Sequence, residues 1–230
     1  MVCVAASINY PNVSDNNIGW AVWNGTSWTA MQHLAAVESE YGVEGICRSL
    51  SDGSVWKIYQ GSDKRLYVRR FNGVSWESPL VAHDTAEFRA RLSVAVGPSG
   101  NVAACWSKDG TMTCRIYSPG SGWGGVFNMG TGSDFGRVTA IPGSNDFYFS
   151  YIRDGRCLGR RWSGGVLGAE EHISVGLPDA FSVDSSVAAG ADGSLCCVWE
   201  YWGSGGPQQY YSIKGGSTVP TGTLTGYVRD

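Results

Sequence analysis

The sequence predicts an all-β fold: one five-bladed β-propeller, four antiparallel strands per blade, its ring closed by the C-terminal strand. Three observations predict it. Aromatic residues recur at Tyr41, Phe88, Phe135, Phe181 and Tyr227, in steps of 47, 47, 46 and 46 residues. A glycine turn follows a strand in every unit, at Gly25, Gly73, Gly120, Gly164 and Gly215. No stretch sustains the 3.6-residue period of an amphipathic helix. A step of about 40 to 50 residues is the span of one four-stranded blade, and a fifth of 230 residues is 46. A single domain, 1–230, then divides into blades at 1–40 plus the C-terminal strand, 41–87, 88–134, 135–180 and 181–226.

The first blade opens directly on an inner apolar strand, Val2–Ile8, followed by Ile18–Trp23. It lacks a first strand of its own. The chain ends at Tyr227-Val228-Arg229-Asp230, where the fifth aromatic marker opens a new strand. That strand is expected to complete blade one and to remove an exposed sheet edge. Blade two turns at Asp52-Gly53 and Gly61-Ser62-Asp63. Blade three gives strands at Arg91–Val96, Val102–Trp106 and Met112–Tyr117, with a fourth after Trp123. Blade four turns at Gly143-Ser144-Asn145 and Asp154-Gly155, and blade five at Asp192-Gly193 and within Trp202–Pro207. Asn-Gly and Gly-Gly supply the positive φ that a two-residue hairpin needs. Second strands such as Leu195-Cys196-Cys197-Val198-Trp199 are apolar on both faces, as expected when neighbouring blades cover both sides.

Composition narrows the function. Glycine makes up 33 of 230 residues and charged residues only 16%, while ten Trp and eleven Tyr exceed what a plain core needs. A net charge of -3 argues against a nucleic-acid partner, which requires a basic stripe. No window reaches the roughly 18 apolar residues of a membrane span, so no membrane insertion is expected. Met1–Ser7 lacks the basic and long apolar regions of a signal peptide. The seven cysteines are odd in number, form no C-x-x-C pair and sit mostly in strand patterns. They read as reduced, buried small hydrophobes, which suggests a reducing compartment such as the cytoplasm. With three His, no metal site and no cofactor are expected.

Up-down topology sorts loops onto two faces. The Asn-Gly-x-Ser-Trp turns, Asn24–Trp28 and Asn72–Trp76, fall on the lower face, where their Trp rings are expected to wedge between blades. The upper face collects an acid just before the aromatic marker in four units: Glu40 with Tyr41, Glu87 with Phe88 and Arg89, Asp134 with Phe135, and Asp179 with Phe181. It also collects the ends of the second strands at Tyr59, Trp106, Tyr151 and Trp199, and Trp202 beyond them. These fourteen residues are the candidate ligand-binding set; none is assigned as catalytic. The acids have two readings. They accept main-chain N–H bonds in tight turns, or they pair with the rings to hold a sugar's hydroxyls and its apolar face. Arg69, Arg115 and Arg160 recur on the third strands, as anion ligands or as solvated outer residues.

The turn Ser118-Pro119-Gly120-Ser121-Gly122-Trp123 resembles a degenerate Asp-box of the sialidase-like propellers, without the aspartate. The segment Val55–Gln60 through Leu66–Trp76 resembles the blades of propeller lectins, and five blades of about 47 residues are similar to the tachylectin-2 type. The resemblance implies the fold along the whole chain and a glycan as partner. The leading reading is a multivalent carbohydrate-binding protein with repeated shallow upper-face sites, monomeric and without enzymatic activity. The alternatives are a protein-adhesion or assembly module, as on a virus particle, and a glycosidase using the upper-face carboxylates. Four equivalent acids argue against the glycosidase, because an acid and a base need unlike environments.

Overall fold

The computed structural model describes residues 2–8, 17–23, 26–30, 32–33, 43–61, 63–84, 90–175, 182–203 and 206–215. No helix occurs among them, so none is present to cross a membrane. Among the described residues, five antiparallel sheets follow one another along the chain. The first holds β1 (Val2–Ile8), β2 (Asn17–Trp23) and β3 (Gln32–His33). The second holds β4 (Val43–Arg48), β5 (Val55–Gln60), β6 (Leu66–Phe71) and β7 (Leu80–His83). The third holds β8 (Ala90–Val96), β9 (Val102–Lys108) and β10 (Thr111–Ser118), with its outer strand split into β11 (Gly122–Trp123) and β12 (Phe127–Asn128). The fourth holds β13 (Asp134–Ala140), β14 (Phe147–Arg153), β15 (Arg156–Ser163) and β16 (Val166–His172). The fifth holds β17 (Ser182–Ala189), β18 (Leu195–Gly203) and β19 (Gly206–Lys214). Residues 216–230, on which closure by the C-terminal strand depends, lie outside the described residues.

Each sheet stands on edge. The first strands β4, β8, β13 and β17 pack against one another in sequence order. Alternate side chains of each second strand therefore face the preceding and the following sheet. On β14, Phe147, Phe149 and Tyr151 face the third sheet, joining Cys105, Met112, Cys114 and Ile116 in one cluster. Tyr148, on the opposite face, joins Val187, Leu195 and Cys197 of the fifth sheet. Burying each such large side chain contributes about 1.5–3 kcal/mol. This geometry explains the apolar runs read from the sequence: β5, β9 and β14 have no solvent face, while Val198 on β18 is 38% exposed.

One buried charge breaks the rule. Lys57 is 0% exposed on β5, at the position that Ala104, Phe149 and Cys197 hold on β9, β14 and β18. Its ammonium lies 4.5 Å from the Tyr59 ring centre and 4.6 Å from that of Trp76. The aromatic faces supply favourable electrostatics where apolar side chains stand in the other sheets.

Cys47, Cys105, Cys114, Cys157, Cys196 and Cys197 are free thiols. Burial pushes the Cys47 and Cys197 thiols up to about 12, which keeps them protonated and unreactive at neutral pH.

Candidate functional site

The upper ends of the first strands share a feature that periodicity does not reveal. Each of β4, β8, β13 and β17 carries a β-bulge at its entry, between Val43 and Gly45, Ala90 and Ser93, Asp134 and Arg137, and Ser182 and Asp184. Bulges re-aim side chains and gather at rims. In the third sheet the bulge puts Arg91 at φ 53, a left-handed conformation that costs a non-glycine residue about 1–2 kcal/mol. Arg91 Nε then lies 3.3 Å from Asp134 Oδ1, and Ser107 Oγ donates to the same oxygen at 2.5 Å. Asp134 thus fastens the fourth sheet to the third.

The other upper-face candidates divide three ways. Glu40, Tyr41, Glu87, Phe88, Arg89, Asp179 and Phe181 lie outside the described residues. Phe135 sits at the β13 bulge, and Trp202 pairs with Pro207 in the β18–β19 ladder. Tyr59, Trp106, Tyr151 and Trp199 occupy equivalent positions on their second strands, and all four are buried, none more than 4% exposed. Tyr59 stacks on Tyr67 at 5.5 Å, Trp106 on His83 at 5.0 Å and Trp199 on Tyr210 at 6.1 Å between centroids. Tyr151 donates to Glu170 at 2.6 Å. Burial, that bond and the Glu170 charge raise the Tyr151 phenol well above its usual value. The structure therefore buries these four rings within the protein, with the stacking partner in the same sheet for Tyr59 and Trp199 and in the preceding sheet for Trp106.

The recurring arginines are also accounted for. Arg69 Nε donates to Glu77 O at 2.5 Å, Arg115 Nε to Gly124 O at 2.7 Å and Arg160 Nε to Gly168 O at 2.9 Å. Each staples its third strand to the outer segment of its own sheet.

The lower face holds a groove that the sequence reading assigned to structure. In the second sheet the turn ring Trp76 covers Phe71, at 5.4 Å between centroids. In the third, Trp123 covers Tyr117 in the same way, also at 5.4 Å. In the fourth, the turn shrinks to Gly164-Gly165 and brings no such ring over Trp162. A cavity of about 420 Å³ opens there between the third and fourth sheets. Trp123, Phe127 and Trp162 give it aromatic walls, Ser118 and Ser121 give hydroxyls, and Gly122, Gly124, Gly125 and Gly165 keep it shallow. No charged side chain lines it among the described residues. The missing Trp after Trp162 was the signal available in the sequence.

Comparison with known proteins places this architecture. No family model and no curated protein matches the sequence. AofleA from Arthrobotrys oligospora superposes with a TM-score of 0.64 at 12% identity, over 93% of this chain and 66% of that one. The lectin of Aleuria aurantia, a six-bladed β-propeller with a described mode of fucose recognition, superposes with a TM-score of 0.57 at 16% identity, over 91% of this chain and 71% of that one. This chain has a β-propeller fold. The NanB sialidase of Streptococcus pneumoniae shares it, with a TM-score of 0.59 at 13% identity over 82% of this chain. The chain spans just under two thirds of the AofleA chain and about a third of the NanB chain.

Proposed function

We propose that this propeller is a carbohydrate-binding lectin that holds glycans at shallow sites around a five-bladed ring and does not cleave them. The observation that carries the reading is the groove at Trp162. A flat indole beside hydroxyls and bare glycine main chain suits a neutral sugar, which presents a C–H face to the ring and hydroxyls to polar atoms. The lining described holds no carboxylate, so this groove has no acid–base pair for glycoside hydrolysis. The glycan-binding Aleuria aurantia lectin, which shares the fold, is consistent with this reading. Repetition around the ring, with the acid–aromatic entries Glu40, Glu87 and Asp179 as further seats, would add avidity to weak single sites.

A glycan array followed by calorimetry tests the proposal. Trp162→Ala should weaken a binding glycan at least tenfold, about 1.4 kcal/mol, while Glu87→Gln should lower only the stoichiometry. A broad array with no ligand at millimolar sensitivity would overturn the lectin reading in favour of protein adhesion. Release of free sugar from a bound glycan would overturn the non-enzymatic part.

A further inference from the structure

Among the described residues, Cys105 and Cys114 are the two thiols that stand directly opposite each other in one sheet, on β9 and β10. Both are 0% exposed, and their side chains share a hydrogen bond. The remaining described thiols are placed differently. Cys157 and Cys197 belong to different sheets, and the adjacent Cys196 and Cys197 point to opposite faces of β18. Cys47 lies opposite Trp56.

The hairpin sets the geometry of this pair. Asp109 and Gly110 have φ 48 and 69, the two left-handed residues of a two-residue turn. Lys108 and Thr111, which flank that turn, therefore form a hydrogen-bonded pair. Antiparallel pairs alternate, so Met112 with Ser107 and Cys114 with Cys105 are non-hydrogen-bonded pairs. The main chain agrees: Met112 N–H donates to Ser133 O at 2.6 Å, Met112 O accepts from Met129 N–H at 3.0 Å, and Ile116 O accepts from Gly124 N–H at 2.8 Å. These even-numbered residues turn their main-chain groups away from β9. A non-hydrogen-bonded pair brings its Cα atoms to about 4.5 Å and its side chains closest together, within the roughly 4.4–6.8 Å that a disulfide spans.

We infer that Cys105 and Cys114 form a redox-sensitive staple, which a small oxidant of the peroxide class closes into a disulfide and a dithiol reopens. One thiolate attacks a peroxide oxygen and breaks the O–O bond, giving a sulfenic acid and hydroxide. The other sulfur attacks the sulfenic sulfur, forms the S–S bond and expels the hydroxyl, which leaves as water with the second proton. Two thiols thus lose two hydrogens while hydrogen peroxide becomes two waters. Burial and the Cys105 contact raise the Cys114 thiol well above its usual value, so closure is slow at neutral pH and quickens as the pH rises. The staple fastens β9 to β10 behind one wall of the groove: Cys114 also stands opposite Phe127, which lines it with Ile116. Closure does not depend on sugar binding.

Peptide mapping of the folded chain tests the inference. The protein is treated with hydrogen peroxide, the peroxide is removed, remaining thiols are alkylated, and tryptic peptides are weighed. Trypsin separates Leu92–Lys108, which carries Cys105, from Asp109–Arg115, which carries Cys114. The expected product is these two peptides linked, lighter than their sum by two hydrogens and separated by dithiothreitol. The urea midpoint of the oxidised protein should rise, because a cross-link constrains the unfolded chain, and fall back with dithiothreitol. Cys114→Ala should show neither the linked peptides nor the rise. Should that variant fail to fold, the wild-type map and midpoint decide the matter. Absence of the linked pair, linkage of either cysteine to a different thiol instead, or an unchanged midpoint in the linked protein would overturn it.

Discussion

The two faces of the fourth sheet make the same kind of contact by different means. Towards the third sheet, Phe147, Phe149 and Leu158 meet Cys105, Cys114 and Ile116 in an apolar layer. Towards the fifth, Tyr148 donates to Glu171 at 3.0 Å, Lys214 pairs with the same carboxylate at 2.6 Å, and Ser150 and Ser185 share a hydrogen bond at 3.1 Å. The repeat fixes which positions face a neighbour, but it does not fix their chemistry. The interface towards the third sheet centres on large buried rings, while the one towards the fifth adds a hydrogen-bonded set to a smaller apolar cluster, so the two should fail differently.

The largest effect is expected on the apolar side. Phe149 is 0% exposed, and its truncation leaves a cavity in a close-packed layer. Phe149→Ala should cost about 3–5 kcal/mol, measured from the urea midpoint. Ser150→Ala, which removes the hydrogen bond between Ser150 and Ser185, should cost about 0.5–1.5 kcal/mol. Equal costs would erase the contrast between the two faces.

Next comes a steric test on the polar side. Gly159 lies against the Tyr148 ring: a Cβ there would stand 2.2 Å from the phenol oxygen and 2.6 Å from Cζ. Gly159→Ala should therefore destabilise by about 1–3 kcal/mol through overpacking. The double variant Gly159→Ala with Tyr148→Leu should recover part of that loss. No recovery would mean that the glycine serves the main chain rather than the ring.

These interfaces show what was legible in the sequence. The strands and turns of the second to fourth sheets were, because Asn72-Gly73, Asp109-Gly110 and Asp154-Gly155 mark hairpins and the apolar runs mark second strands. The equivalence of Tyr59, Trp106, Tyr151 and Trp199 was legible too, but their burial was not. An aromatic at a strand end reads the same whether the next sheet covers it or water does. The first-strand bulges escaped because one extra residue leaves the period intact. The groove escaped because its walls, Trp123 and Trp162, come from different sheets, and what opens it is a ring the fourth turn lacks.

A pH profile sharpens the comparison further. Burial, with the neighbouring Glu171 charge and hydrogen bond, raises the Tyr148 phenol well above its usual value. A group whose folded pKa is raised contributes stability that is fully present below its unfolded pKa, about 10 for tyrosine. That stability is lost as the pH rises above this value. Wild type should therefore lose stability above about pH 10 faster than Tyr148→Phe, when unfolding is followed at fixed ionic strength. Parallel profiles would show that Tyr148 does not couple folding to alkali.

The smallest effect is expected at the rim of the same network. Lys214 and Glu171 pair at 2.6 Å, with side chains 60% and 36% exposed. Water and salt screen such a pair, so Lys214→Gln should cost only about 0–1 kcal/mol, less as salt is added. The informative quantity is coupling. Glu171 also accepts from Tyr148, so removing Lys214 leaves the carboxylate held by the phenol alone. A double-mutant cycle between Lys214→Gln and Tyr148→Phe measures whether the two donors act together. Coupling of about 0.5 kcal/mol or more would make the polar face one network from its buried ring to its exposed lysine. Strict additivity would reduce it to independent contacts, and the contrast with the apolar face would then rest on Ser150 and Ser185 alone.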